Sequence, residues 1–309
     1  MILFYCVSNV PGTLFITALS KRLNAVELPG AMAIRLGGAA AHCIGCFEET
    51  QDVRHSMQHG RRRRQRHQIR WRMLCLTAAV IDHYRPGFRQ IESVDYGISA
   101  AQQTNRGLAT TSAVLSYVGK PFTTMKDGRW QSVYGWQDMH AKRYPELGIR
   151  LFGNCDIPDL DLFPSRYPEI RTMRFAAGHE LKILHFGTWM LSWLVRIGLI
   201  RSLADHSEKL LRLAFVFDRL GSSRSGFHMY LAGVGTDGSP RQARFYLIAR
   251  SGHGPYIPCM PAILLARKLA RDAIQTRGAM PCVDLISLDE YLAALKGLDI
   301  SVVSDSVDA

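Results

Sequence analysis

Alternating apolar and polar positions predict β-strands in the middle of the chain. Within residues 91–99, Val94, Tyr96 and Ile98 fall on one side, which is the pattern of a half-buried strand. Residues 170–176 are predicted to form another strand. The pattern begins only near residue 75, so the folded part of the chain is expected to start there.

Two hairpins are predicted from turn residues that separate extended runs. Asp127-Gly128 is typical of a tight hairpin because both central positions need a positive φ. The sequence Thr-Asp-Gly-Ser-Pro at 236–240 predicts a second turn. The flanking runs are residues 122–126, 130–136, 227–233 and 242–248. The sheet is therefore expected to be largely antiparallel.

Helical periodicity follows the strands. Pro261 is predicted to open a helix over residues 262–275 that stops at Gly278. Ser287 and Glu290 have the spacing of a capping box for a last helix. Together with the strands, these helices predict an α+β fold, a largely antiparallel mixed sheet with flanking helices.

One further segment, residues 181–203, is apolar on nearly every side and carries Trp189 and Trp193 four positions apart. Such a helix is expected to be buried, or to face a partner or a lipid surface. The final residues, 301–309, have little to pack against and are expected to form a flexible tail.

The net charge of +12 is concentrated near the start of the chain. Residues 1–75 hold 11 of the 38 basic side chains and 4 of the 26 acidic ones, and they include the run Arg61–Arg64. This segment shows no period that would bury a face, so we expect it to be disordered or non-homologous. A basic face on the main body is not indicated, and nucleic acid is not an expected partner.

Seven scattered cysteines do not indicate a disulfide framework, and a reducing, cytoplasmic setting is expected. Cys43 and Cys46, beside His42, have the spacing of one half of a zinc site. The only candidates for the other half are His55 and His59, which lack folding signals around them, so no metal site is predicted.

Gly233-Val-Gly235-Thr-Asp-Gly238 satisfies the GxGxxG pattern of dinucleotide-binding loops. That chemistry requires a helix start after the third glycine, facing the pyrophosphate. Here Ser239-Pro240 and a strand pattern follow, so we interpret the glycines as part of a hairpin turn. The sequence contains no other GxGxxG loop and no P-loop.

From about Leu76 to about residue 300, the chain resembles the C-terminal portion of bacterial saccharopine dehydrogenase-like proteins. The stretches that carry the resemblance are LTAAVIDHY, VDYGISAAQQTNRGLATTSAVLSYVGKPF, VYGWQD, GNCDIPDLDLFP, FAAGHEL, ARSGHGPYIPCMPAILLARKLA and RGAMPCVDL. The resemblance implies an NAD(P)-dependent oxidoreductase in which a Rossmann domain precedes a substrate and dimerisation domain.

In that family the cofactor domain comes before the position of Leu76, whereas residues 1–75 contain no glycine-rich loop of this kind. We therefore expect three regions: the segment 1–75, a substrate and dimerisation domain at 76–300, and the tail 301–309. The Rossmann domain is expected to be missing, the chain to be inactive alone, and NAD(P) to bind only to intact family members. A genuine replacement domain in residues 1–75 is the alternative.

Hydride transfer at a carbon that bears nitrogen or oxygen needs a proton carrier and a clamp for the substrate. Asp156 and His253 are the candidate catalytic residues because either can transfer a proton. Gln102, Gln103 and Arg106 are the candidate substrate-binding residues, and Arg106 could hold a carboxylate. Each could equally be a structural loop or capping residue.

A function of another class is also open, that of a non-catalytic interaction or membrane-surface protein that uses the Trp189/Trp193 helix. The partners considered are thus a second copy in a homodimer, a membrane surface, and a small-molecule substrate of unknown identity.

Overall fold

The computed structural model describes residues 26–28, 31–36, 39–44, 67–70, 74–104, 106–274, 279–281 and 283–308. The chain divides into two compact units. The first unit is Met1–Ala79, Asn105–Thr110 and Pro255–Lys296, and the second is Val80–Thr104, Thr111–Gly254 and Gly297–Ala309. This division differs from the expected single domain at 76–300, because Pro255–Lys296 belongs to the first unit.

The strands are, in chain order, β1 (Val26–Leu28), β2 (Ala31–Leu36), β3 (Ala39–Ile44), β4 (His67–Arg70), β5 (Phe88–Ala100), β6 (Pro121–Lys126), β7 (Arg129–Tyr134), β8 (His140–Tyr144), β9 (Gly148–Asn154), β10 (Thr172–His179), β11 (Ser225–Gly235), β12 (Pro240–Ala249), β13 (Ala279–Pro281) and β14 (Ile300–Asp308). The α-helices are α1 (Leu74–Tyr84), α2 (Leu108–Tyr117), α3 (Asp159–Arg166), α4 (Lys182–Arg196), α5 (Ser207–Val216), α6 (Tyr256–Ala270) and α7 (Leu288–Ala294).

The first unit contains a five-stranded sheet in the order β1-β2-β3-β4-β13. The pairs β1–β2 and β2–β3 are antiparallel, whereas β3–β4 and β4–β13 are parallel. Four of these strands lie within residues 1–75, the segment expected to be disordered or non-homologous. Arg61–Arg64 and the side chains of Cys43 and Cys46 lie outside what the structure describes.

Helix α6 begins at Tyr256, so the prediction that Pro261 opens it is wrong. Pro261 lies inside the helix and cannot donate to the carbonyl of Ile257, four residues earlier. The hydroxyl of Tyr291 donates to that carbonyl at 2.6 Å. This bond supplies the missing donor and explains why the helix tolerates the proline. The predicted stop at Gly278 lies outside the described residues.

The last helix of the first unit starts as predicted. The side chain of Ser287 accepts a hydrogen bond from the backbone N–H of Glu290, which confirms Ser287 as the N-cap of α7. Elsewhere in this unit, Cys75 and Cys259 are each disulfide-bonded. The expectation that the cysteines are reduced is therefore wrong at these two positions.

The second unit is built on a seven-stranded sheet in the order β14-β12-β11-β5-β10-β9-β8. Only β5 and β10 pair in parallel, and every other neighbouring pair is antiparallel. The expected α+β class with a largely antiparallel mixed sheet is confirmed. The predicted strand at 91–99 lies within β5, and that at 170–176 overlaps β10.

One face of this sheet is an apolar core. Val94 and Tyr96 of β5 lie opposite Leu231 and Met229 of β11, and all four are buried. Phe245 of β12 continues the same row beyond Met229. The alternation that predicted a half-buried strand thus places the neighbours of these residues, including Asp95, on the other face.

Both predicted hairpins are present. Strands β6 and β7 pair with Lys126 opposite Arg129, and Asp127 and Gly128 between them have φ values of 52° and 77°. Strands β11 and β12 form the second hairpin, with Val234 opposite Pro240. The first hairpin is a two-stranded sheet of its own rather than part of the large sheet.

The end of the chain differs from the expected flexible tail. Residues Ile300–Asp308 form β14, which pairs with β12 from Ile300 opposite Ala249 to Asp308 opposite Arg241. Backbone hydrogen bonding to an otherwise open sheet edge supplies the stabilisation that the short segment could not obtain from its side chains alone.

The large sheet curls so strongly that its two halves face each other. In a flat sheet, β8 would lie four strand spacings from β11, or roughly 19 Å. The ammonium of Lys142 on β8 nevertheless lies 4.0 Å from the centre of the Tyr230 ring on β11. The face opposite the apolar core therefore lines a trough.

Candidate functional site

Five polar side chains on this face form what we call the Asp95 cluster, namely Asp95, His140, Lys142, Arg174 and Tyr230. Asp95 stands at the centre, directly opposite Tyr230 on β11 and Arg174 on β10. His140 and Lys142 come from β8 and reach the others because the sheet curls. The cluster thus draws on four strands.

Charge pairs and hydrogen bonds hold the cluster together. The Lys142 Nζ lies 2.5 Å from Asp95 Oδ2 and over the Tyr230 ring. Nη2 of Arg174 lies 2.8 Å from His140 Nδ1 and 2.9 Å from Oδ2 of Asp138. The side chain of Lys142 is 9% exposed, whereas those of Asp95 and Arg174 are 29% and 27% exposed. Solvent and a ligand can therefore reach Asp95 and Arg174.

Burial changes the proton affinities of two members. It lowers the pKa of the His140 imidazole, and the nearby Arg174 guanidinium lowers that pKa further. Burial also lowers the pKa of the Lys142 ammonium, which Asp95 partly offsets. His140 is thus neutral at pH 7 and can accept a proton, while Lys142 gives one up more readily than an exposed lysine.

Three buried atoms in the cluster have no hydrogen-bond partner among the residues that the structure describes: Asp95 Oδ1, His140 Nε2 and Arg174 Nε. Each such atom costs about 1–3 kcal/mol when it is left unpaired. A bound ligand or water that pairs with these three atoms would remove this cost.

A tyrosine–histidine pair lies deeper in the same trough. The Tyr144 hydroxyl lies 2.5 Å from His228 Nδ1, and both residues are buried. Burial lowers the pKa of His228 well below its usual value and raises that of Tyr144, so both are neutral. Tyr230 belongs to the Asp95 cluster, and its hydroxyl lies 2.8 Å from the hydroxyl of Tyr246. This contact connects the tyrosine–histidine pair to the cluster along one side.

The predicted substrate-binding residues Gln102 and Gln103 lie together but make structural contacts. The Gln102 side chain donates to the Ala214 carbonyl and to Asp218 Oδ1, both at 2.8 Å. Gln103 donates to the carbonyls of Asp218 and Gly221. Their side chains fasten the loop after β5 to the segment after α5, and their role as substrate ligands stays a prediction.

The predicted catalytic residues Asp156 and His253 are not brought together. Asp156 follows β9, which runs antiparallel to β10, whereas His253 follows β12, which runs in the same direction as β5 and β10. They therefore lie at opposite ends of the strands. His253 Nδ1 accepts a hydrogen bond from the backbone of Asp299 at 2.7 Å. Arg106 belongs to the first unit.

The GxGxxG stretch forms the β11–β12 turn, as predicted. The N–H of Gly235 donates to the Ser239 carbonyl and that of Gly238 to the Gly235 carbonyl. A Cβ on Gly233 would lie 2.1 Å from the Gln90 carbonyl oxygen of the neighbouring strand. These glycines allow the turn and the close strand packing of the sheet, and they do not fit the pyrophosphate of NAD(P).

The described part of the chain has neither a cluster of metal-ligating side chains nor a helix that could span a membrane. No group of three or more His, Cys, Asp or Glu side chains there is placed to hold a metal ion. No helix among those residues combines the length and hydrophobicity needed to cross a bilayer.

No protein-family model matches the sequence, and no curated protein matches it. Among solved structures, the chain is similar to apo histidine-tagged saccharopine dehydrogenase (L-Glu forming) from Saccharomyces cerevisiae. The two are 9% identical, the match covers 75% of this chain and 71% of that chain, and the TM-score is 0.49. At this identity and TM-score the similarity supports no conclusion about this chain.

Proposed function

We propose that the second unit binds a small zwitterion of the amino-acid class at the Asp95 cluster. We further propose that it is the substrate-binding part of an oxidoreductase. The observation that carries the first proposal is the alternation of charge in the cluster, in which the Asp95 carboxylate lies between the Lys142 and Arg174 cations.

The cluster offers complementary groups for both ends of such a ligand. Asp95 is a partly exposed anion that can pair with an ammonium group. Arg174 is a partly exposed cation suited to a carboxylate. Asp95 already pairs with Lys142, and Arg174 already pairs with Asp138. A ligand with both charges would add a contact to each pair, whereas a ligand with one charge would add a contact to only one, so the arrangement favours a molecule with both.

The reaction class comes from the sequence resemblance to saccharopine dehydrogenase-like proteins. An NAD(P) cofactor, bound by another part of the protein, would take the hydride from a carbon that bears nitrogen, and that step would also release a proton. His140, neutral because burial lowers its pKa, is the group of the cluster best suited to accept that proton. In this proposal His140 is the proton carrier, a role that the sequence had suggested for Asp156 or His253.

Three ligands test the proposal: L-norleucine, hexanoate, which lacks its amino group, and pentylamine, which lacks its carboxylate. Isothermal titration of the full chain is expected to show binding of norleucine, and weaker binding of the two singly charged analogues by roughly tenfold or more, since each lacks one charge-assisted contact. Equal binding of all three, or of none, contradicts the proposal.

Two variants locate the binding. Asp95→Asn and Arg174→Gln are each expected to weaken norleucine binding by roughly tenfold. Arg129→Gln, on β7 outside the large sheet, is the matched control and is expected to bind as the unmodified chain does. A loss in the control equal to that in Arg174→Gln would place the ligand elsewhere.

A further inference from the structure

Helix α4 has its polarity inverted relative to an ordinary surface helix. The side chains that it buries include His185 and Ser192, while those that it exposes include the five residues we call the apolar face of α4: Ile183, Phe186, Met190, Trp193 and Ile197. Their spacing of three and four residues places them along one stripe. A globular fold gains nothing from this arrangement in water.

Exposed apolar side chains continue beyond the helix. Ile183 and Ile197 are 64% and 69% exposed, and Leu199, in the turn that follows, is 72% exposed. Val216 and Leu220, at and after the end of α5, are more than two thirds exposed. The residues of the apolar face lie along one side of one helix, and such a cluster of large exposed apolar side chains marks a binding surface rather than scattered surface hydrophobics.

Basic residues are frequent in the same stretch of the chain, and one of them, Arg196, lies 4.9 Å from the centre of the Trp193 ring on the apolar face. Between residues 181 and 224 there are seven basic side chains and three acidic ones. The basic residues are Lys182, Arg196, Arg201, Lys209, Arg212, Arg219 and Arg224. An apolar stripe accompanied by excess positive charge is the pattern of helices that lie in the interface of an anionic membrane.

We propose that the second unit binds the surface of an anionic phospholipid membrane through the apolar face of α4, with the accompanying basic residues at the lipid headgroups. A second copy docked on this face by two-fold symmetry would set the same excess of positive charge against itself. The membrane surface has the complementary charge. Trp193, 40% exposed on the face, is of the residue type that prefers the headgroup boundary.

The geometry favours adsorption to one leaflet. Helix α4 has 15 residues, or about 22 Å of length, which is shorter than the hydrocarbon core. It can therefore lie in the plane of the interface with its apolar face inserted. This proposal rests on different residues from the Asp95 cluster and does not depend on the proposed ligand.

Co-sedimentation of the full chain with vesicles tests the proposal. Vesicles of phosphatidylcholine alone are compared with vesicles in which one lipid in three is phosphatidylglycerol. Binding is expected to be at least roughly tenfold stronger to the anionic vesicles and to weaken as salt is added. Equal binding to both, or binding to neither, overturns the proposal.

Charge-inserting variants locate the contact. Met190→Glu and Ile197→Glu are each expected to abolish most binding, and their thermal unfolding should match that of the unmodified chain because both positions are exposed. Ile149→Glu on β9, at another exposed apolar residue, is the matched control and should bind normally. Arg201→Gln should weaken binding about fivefold, as expected for one basic residue near the surface.

Self-association is the competing outcome. If sedimentation equilibrium shows a dimer that Ile197→Glu dissociates, and the vesicles bind nothing, the face serves a second copy and the membrane proposal is wrong. If Ile197→Glu and Ile149→Glu bind vesicles as well as the unmodified chain does, the contact does not involve α4, and the proposal also fails.

Discussion

Burial lowers the pKa of three histidines in the second unit, His140, His185 and His228, and His185 shows the consequence for stability. It lies on the buried side of α4 against the Trp136 ring, 5.1 Å away between centres, and burial lowers its pKa to about 4. In the unfolded chain its pKa is about 6.5. Between these values the unfolded state binds a proton that the folded state does not, so stability falls as pH falls through this window.

Replacing His185 should therefore make the second unit less sensitive to acid. From pH 8 to pH 5, His185 alone is expected to cost the folded state about 2 kcal/mol, and His185→Leu should remove that part of the loss. Urea unfolding followed by tryptophan fluorescence measures it. His228 and His140 have pKa shifts of the same direction, so some pH dependence should remain. An unchanged pH dependence in the variant contradicts the assignment.

At the scale of elements, what could be predicted was local. The Asp127-Gly128 hairpin, the Ser287 cap and the strand at 91–99 each depend on residues close in sequence. The start of α6 could not be predicted, because Pro261 is tolerated only through the Tyr291 hydroxyl thirty residues later. The β14 pairing likewise depends on the distant strand β12.

The Asp95 cluster was missed for the same reason. Alternation in β5 does put Asp95 opposite the apolar face, but Lys142 and Tyr230 carry no local signal. They meet Asp95 only because the sheet curls, and a curl is a property of seven strands together. A polar residue between two buried positions, as Asp95 is between Val94 and Tyr96, was the one available hint.

The GxGxxG hairpin provides a test at the level of elements. Gly233→Ala should destabilise the second unit by about 1–3 kcal/mol, because the new methyl group would press on the Gln90 carbonyl of β5. Gly235→Ala, in the same motif, should cost less. Its methyl would come too close only to Asp237 Oδ1, 2.7 Å away on a side chain that can move, and the Ser239 carbonyl oxygen would lie at 3.4 Å. Thermal unfolding compares the two, and the reverse order would argue against the hairpin's packing.

At the scale of the whole molecule, the two units differ in cysteine chemistry. Cys75 and Cys259 of the first unit are disulfide-bonded, whereas Cys155 of the second is a free, buried thiol 3.0 Å from the Tyr117 hydroxyl. Disulfides persist in oxidising compartments and are rare in reducing ones. The cytoplasmic location expected from the sequence, which stays a prediction, is therefore in tension with the first unit.

Reduction should consequently destabilise one unit and spare the other. When the chain is unfolded without reductant, iodoacetamide is expected to modify Cys155 but not Cys75 or Cys259. Peptide mass spectrometry measures the modification. Adding reductant should lower the free energy of unfolding of the first unit by about 2–4 kcal/mol, because its unfolded state is no longer constrained. Fluorescence of Trp136, in the second unit, should report the same transition before and after reduction. Modification of Cys75 and Cys259 before any reductant is added would show that the chain matures with free thiols, which fits a reducing compartment.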